Sequence, residues 1–189
     1  MNAMNRREAL KSVVLMMGGT MVGANVILTG CAPEKQIEGL DFSEEELAYM
    51  DEIGEAIIPE TDTPGAKAAG IGGFMAMMVK DTYTEEQQKT FINGLNSLKA
   101  DFKSETGKAF MDASVAERTA FLNQLNKAAI KQATGGNNAP NYILMIKDLT
   151  LLGYFTSEVG ATQALRFIET PGRYDPCIEY KKGDKAWAI

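Results

Sequence analysis

Three times along this chain a hydroxyl residue stands three positions ahead of a glutamate or glutamine, just before an apolar repeat: Ser43 with Glu46, Thr84 with Gln87, and Ser114 with Glu117. Each pair fits a capping box, in which the hydroxyl accepts an early backbone N–H of a helix while the N3 side chain reaches back to the N-cap N–H. The run Glu44-Glu45-Glu46 suits the positive end of a helix dipole and reads as a solvated first turn rather than a metal site. Behind each box, apolar residues recur at helical spacing. Leu47, Met50, Ile53 or Gly54, and Ile57 follow the first until Pro59 stops the run. Phe91, Leu95, Leu98 and Phe102 follow the second as far as Gly107, and Leu122, Leu125 and Ala129 follow the third. With strand alternation scarcely present anywhere, this punctuation confines the fold to an all-α bundle.

Two further helices fit between and after these. Thr61-Asp62-Thr63-Pro64-Gly65-Ala66 is turn chemistry, and an apolar helix over about Ile71 to Lys80 follows it. Its Met75, Met77 and Met78 resemble a Cu(I) cluster, but with no histidine or cysteine beside them they read as an adaptable core or interface helix. Gly135 to Ala139 forms a loop, and Pro140 stands where another helix can begin. That helix, through Ile143, Leu144, Ile146, Leu149, Leu151 and Leu152, is apolar around much of its circumference and is predicted to be the central one. The expected fold is a compact bundle of about five or six helices with an extended C-terminal tail.

The N-terminus has a different logic. Arg6 and Arg7 precede an uncharged stretch from Ser12 to Gly30, ending in Leu28-Thr29-Gly30-Cys31. Basic region, apolar region and small-residue cleavage site in that order describe an export signal. Asn5 to Lys11 looks like a twin-arginine (Tat) motif, whose pathway carries folded proteins, and Leu-Thr-Gly-Cys looks like a lipobox that would make Cys31 the lipidated first residue. Gly18, Gly19, Gly23, Thr20 and Asn25 weaken the alternative of a retained membrane helix. Either Met1 or Met4 can serve as the start. The expected organisation is a signal over 1–30, a polar tether over 31–42 and a helical domain over 43–189, placed on the periplasmic side and held to the membrane through Cys31.

Cleavage would remove three cations and one anion, taking the net charge from −6 to −8. An acidic surface without basic clusters argues against nucleic-acid partners. The chain has no histidine, which removes Ser-His-Asp and Cys-His catalysis, histidine-ligated haem and most zinc or copper sites. With Cys31 committed to lipid, Cys177 is left alone. The general habit of free cysteine predicts a buried, inert thiol, with a bridge to another chain as the alternative.

The segment from about residue 153 is rich in aromatics, turns and charges and carries the only tryptophan. Tyr154, Phe155, Arg173, Tyr174 and Trp187 are residue types enriched at protein interfaces, and with Cys177 they form the candidate partner interface. Such a tail cannot form its own core. It lies either on its own bundle or on a partner.

Several spaced motifs resemble one family. Ile57-Ile58-Pro59-Glu60-Thr61-Asp62-Thr63-Pro64-Gly65-Ala66 is similar to the opening motif of the gluconate 2-dehydrogenase subunit 3 family. Gly153-Tyr154 through Gly160-Ala161-Thr162-Gln163, Pro171-Gly172-Arg173-Tyr174 and Ala186-Trp187 resemble its C-terminal signatures, so the likeness runs over about residues 43–188. The resemblance implies a small, Tat-exported accessory subunit of a membrane-associated dehydrogenase. It implies a glucose-methanol-choline-type flavoprotein as large subunit, often joined by a cytochrome c subunit. FAD is then expected in one partner and haem c in another, with no cofactor in this chain and no catalytic, cofactor-binding or metal residue to carry over. The lipobox departs from a plain cleaved signal and implies that this version helps anchor the complex.

Three functions are then open. The first is this accessory subunit, since a Tat signal on a chain without a nucleotide, haem or metal motif points to a cofactor held by a cargo. The second is a free-standing helical lipoprotein acting as a binding module. The third, ranked last, is a carboxylate hydrolase using Asp62 with Glu60.

Overall fold

The computed structural model describes residues 40–136, 139–170, 172, 174 and 176–188. Arg6, Arg7, Cys31 and Arg173 lie outside the described residues, as do Asn137 and Asn138 of the loop expected near Pro140. Among the described residues five α-helices follow one another: α1 Glu44–Ile57, α2 Ile71–Thr82, α3 Glu85–Thr106, α4 Val115–Thr134 and α5 Tyr142–Thr156. Short 3-10 turns at Ala66–Ala69 and Phe110–Asp112 and a π-turn at Gly160–Ala164 link them or follow them. This is the all-α architecture that the capping and periodicity predict. No helix among the described residues is long and apolar enough to cross a membrane.

All three capping boxes form. Ser43, Thr84 and Ser114 each donate their backbone N–H to the N3 side chain, at 2.9, 3.0 and 2.9 Å. Hydrogen bonds from Lys108 and then from Ser114 push the Glu117 carboxyl down to about 2. The fourth α-cap differs from expectation: α5 begins after Asn141, whose side chain accepts from the N–H of Ile143 and Leu144, rather than at Pro140. A carboxamide competes well at an N-cap, so the helix starts where that acceptor is.

The stripe on α3 is buried at every position, Phe91, Leu98 and Phe102 completely and Leu95 nearly so. Each such side chain contributes roughly 1.5–3 kcal/mol relative to exposure. Phe102 stacks edge-on against Phe110 and Phe121 at 5.0 and 5.1 Å, and Phe110 in turn meets Tyr49 at 5.2 Å. Helix α5 packs against all four others and is the central helix. It is not apolar inward all round, however: Leu151, Leu152 and Phe155 are exposed.

Polar contacts then lock the helices in register. Arg118 of α4 is 6% exposed and fully used. Its Nε and Nη2 donate to the carbonyls of Phe110 and Met111, each at 2.8 Å, and its Nη1 pairs with Glu52 of α1. Burial alone would raise the Glu52 carboxyl, but hydrogen bonds from Lys67 and Arg118 outweigh it and hold it below the ordinary carboxylate value. Arg118→Leu is expected to cost about 3 kcal/mol of unfolding free energy, the low end for breaking a buried pair because Lys67 still faces Glu52. Urea denaturation followed by circular dichroism measures it. A loss under about 1 kcal/mol, the range of a surface pair, would contradict a structural role for the guanidinium.

Candidate partner interface

The turn between α1 and α2 is organised by carboxylates on α1. Glu55 accepts the N–H of Glu60 at 2.7 Å and of Lys67 at 3.0 Å, closing the turn around its own side chain. A Cβ on Gly65 would lie 2.3 Å from the Glu55 carboxylate oxygens, so glycine is what lets that carboxylate in. Asp51, one turn earlier, accepts the N–H of Gly72 at 2.7 Å and so caps α2 from outside. Any side chain on Gly72 would meet the Leu47 carbonyl at 2.2 Å. Asp62 and Glu60 are exposed on this turn, where the Asp62 carboxylate accepts the Thr61 hydroxyl at 3.0 Å. Among the described residues no group of three His, Cys, Asp or Glu side chains stands in reach of a common metal ion. The three methionines of α2 diverge, Met75 into the core, Met77 to solvent and Met78 between them.

Tyr154 carries this turn to the far end of the chain. Its hydroxyl donates to the Pro64 carbonyl at 2.6 Å, and its ring is 1% exposed. Tyr154 therefore leaves the set of interface candidates: it is a core residue joining the 57–66 turn to the end of α5. The chain reverses directly after it. The Ser157 hydroxyl donates to the Tyr154 carbonyl at 2.7 Å and accepts from the Gly160 N–H at 3.0 Å, and the π-turn follows.

From Arg166 to Trp187 every described residue is exposed. Among the described residues this arm is pinned only at its base, where strand β1, Arg166–Phe167, pairs in parallel with strand β2, Trp187–Ala188. The Arg166 N–H donates to the Ala186 carbonyl at 2.8 Å, and the Arg166 guanidinium lies 3.9 Å from the centre of the Trp187 ring. Lys185 donates to the Gln163 carbonyl. Between the strands, Tyr174 is 88% exposed and Tyr180 75%, with Ile168 and Ile178 also uncovered.

The expected interface residues therefore divide. Phe155, Tyr174, Cys177 and Trp187 are exposed, Tyr154 is not, and Arg173 lies outside the described residues. Cys177 contradicts the expectation of a buried thiol, because the arm that bears it is not packed on the bundle. Phe167, Ile168, Ile178 and Tyr180 join the uncovered set. Their signal in the sequence was apolar residues interleaved with charges and turns at no helical spacing.

An arm that buries nothing should add nothing to stability. Truncation after Leu165 is expected to change the urea midpoint by an amount equivalent to under about 0.5 kcal/mol, as for surface changes generally. A loss above about 2 kcal/mol would show that the arm packs on its own bundle.

Among comparisons with known proteins, the family model for gluconate 2-dehydrogenase subunit 3 matches residues 44–172, which takes in all five helices, the π-turn and the start of the arm. No curated protein and no solved structure gave a significant match.

Proposed function

We propose that this chain, which belongs to the gluconate 2-dehydrogenase subunit 3 family, is the non-catalytic small subunit of a periplasm-facing, FAD-dependent dehydrogenase of sugars or sugar acids. In this reading it binds a glucose-methanol-choline-type flavoprotein, stabilises it, and carries it out of the cell through the Tat signal at Arg6 and Arg7. Cys31 then helps hold the complex at the membrane, and a cytochrome c subunit accepts the electrons. The oxidation itself, hydride transfer from an alcohol carbon to FAD, belongs to the large subunit. This chain supplies binding surface and an address.

The observation that carries the reading is the arm. Phe167, Ile168, Tyr174, Ile178, Tyr180 and Trp187 are six large apolar or aromatic side chains left in solvent within one segment. Large apolar side chains left exposed together in one segment mark an interaction surface, and Tyr and Trp are the residues that most often anchor one. A free-standing binding module would be expected to close its apolar surface, so the arm counts against that alternative.

Purification of the chain from membranes tests the association. A yellow, FAD-containing polypeptide is expected to accompany it, and its absence would refute the reading. Replacing Arg6 and Arg7 by Lys is expected to leave the flavoprotein's activity in the cytoplasm; unchanged export of that activity would contradict the co-export role.

A further inference from the structure

The chain's acidic average hides a local reversal of sign. Residues 40–165 carry ten Lys and Arg against eighteen Asp and Glu, whereas the second limb of the arm, Tyr180 to Trp187, carries three lysines against one aspartate. That aspartate is already engaged. Asp184 Oδ2 accepts the Lys181 N–H at 2.9 Å, and the Asp184 N–H donates to the Lys181 carbonyl at 2.9 Å. The turn so closed has φ 99° at Gly183, a conformation that glycine adopts without strain, and it leaves Lys181 and Lys182 exposed.

Arg166, Lys181, Lys182 and Lys185 make no ion pair among the described residues, although the chain has carboxylates in excess. Two of the four are held by neutral groups at the base of the arm, Arg166 by the Trp187 ring and Lys185 by the Gln163 carbonyl. The ammonium groups of Lys181 and Lys182 stand in solvent, between the exposed rings of Tyr180 and Trp187. A limb aromatic at both ends and cationic between them is complementary to an apolar surface that carries carboxylates. An anionic bilayer or a nucleic acid is negative over its whole extent and would meet the carboxylates of the bundle together with the arm. A protein can confine its acidic groups to the patch that the arm covers. Such a patch attracts the limb and repels the bundle, which fixes the part of this chain that can approach it.

We propose that Lys181 and Lys182 dock on a cluster of carboxylates beside an apolar patch of the flavoprotein subunit, while Arg166 and Lys185 hold the limb in shape. The proposal rests on the reading of the chain as an accessory subunit and adds the chemistry of the surface that it recognises.

Zero-length crosslinking tests it. A water-soluble carbodiimide joins a lysine ammonium to a carboxylate only where the two are in contact. It is applied to the complex isolated from membranes through the affinity-tagged full chain, and the adducts are mapped by mass spectrometry. Lys181 or Lys182 is expected to be joined to an Asp or Glu of the FAD-containing polypeptide. Lys181→Glu with Lys182→Glu should weaken retention of that polypeptide about tenfold at low salt. The difference should shrink in about 1 M salt, where the screening length is about 3 Å. Arginine at both positions should keep the polypeptide bound, and the same reversal at exposed Lys127 and Lys131 of α4 should change retention less than about twofold. Adducts of the two lysines with carboxylates of this chain or of a second copy alone would overturn the proposal, as would no adduct, or equal losses from the two reversals. So would a reversal that spares the flavoprotein and loosens the chain from phosphatidylglycerol vesicles, which would assign the cations to lipid. A flavoprotein held equally well by the reversed arm sinks the acidic patch alone, whereas a flavoprotein missing from the unaltered complex sinks the subunit reading with it.

Discussion

Three carboxylates on one helix tie α1 to α2, to α4 and to the turn that follows it. Asp51, Glu52 and Glu55 of α1 reach in different directions: to the first turn of α2, to Arg118 of α4 with Lys67, and into the turn between α1 and α2. Each accepts backbone N–H groups or pairs with cations. The apolar core alone would pack these helices, but apolar contact is non-directional and leaves register loose. The carboxylates supply direction. Through the turn they organise, Pro64 is placed to receive the Tyr154 hydroxyl, and the end of α5 is fixed where the arm departs.

From that constraint follows a division of labour. The bundle satisfies its own caps, buries its own stripes and ties its helices with a desolvated Arg–Glu pair. The arm is the reverse, being anchored at its base by two paired residues on each side and an Arg166–Trp187 contact while burying none of its described side chains. A closed base with an uncovered loop limits the arm's freedom before any partner arrives, which lowers the ordering cost of binding. Membership in a family of dehydrogenase subunits agrees with a chain built this way.

What was legible in the sequence was what depends on near neighbours. The capping boxes at Ser43, Thr84 and Ser114 and the stripe Phe91, Leu95, Leu98, Phe102 are set by residues within a few turns, and each formed as spaced. Pro140 misled slightly because Asn141 beside it is the better cap. Long-range pairings were illegible. Nothing local marks Glu55 as the residue that fills the space above Gly65, or Tyr154 as a partner of Pro64, 90 residues away. By residue type Tyr154 belongs at an interface, and it is in the core. By residue type Cys177 belongs in the interior, and it is in solvent. Both depend on whether the surrounding segment packs on the bundle, which composition does not encode.

The claim that the bundle is complete and the arm is completed by a partner is tested most directly by hydrogen exchange along the full chain, alone and within the complex isolated from membranes. Amides between Ile168 and Ala186 should exchange at nearly unfolded rates in the isolated chain and become protected in the complex, while those of α1 to α5 stay protected in both. Protection of the arm in the isolated chain, or exchange as fast in the complex as out of it, would contradict the account.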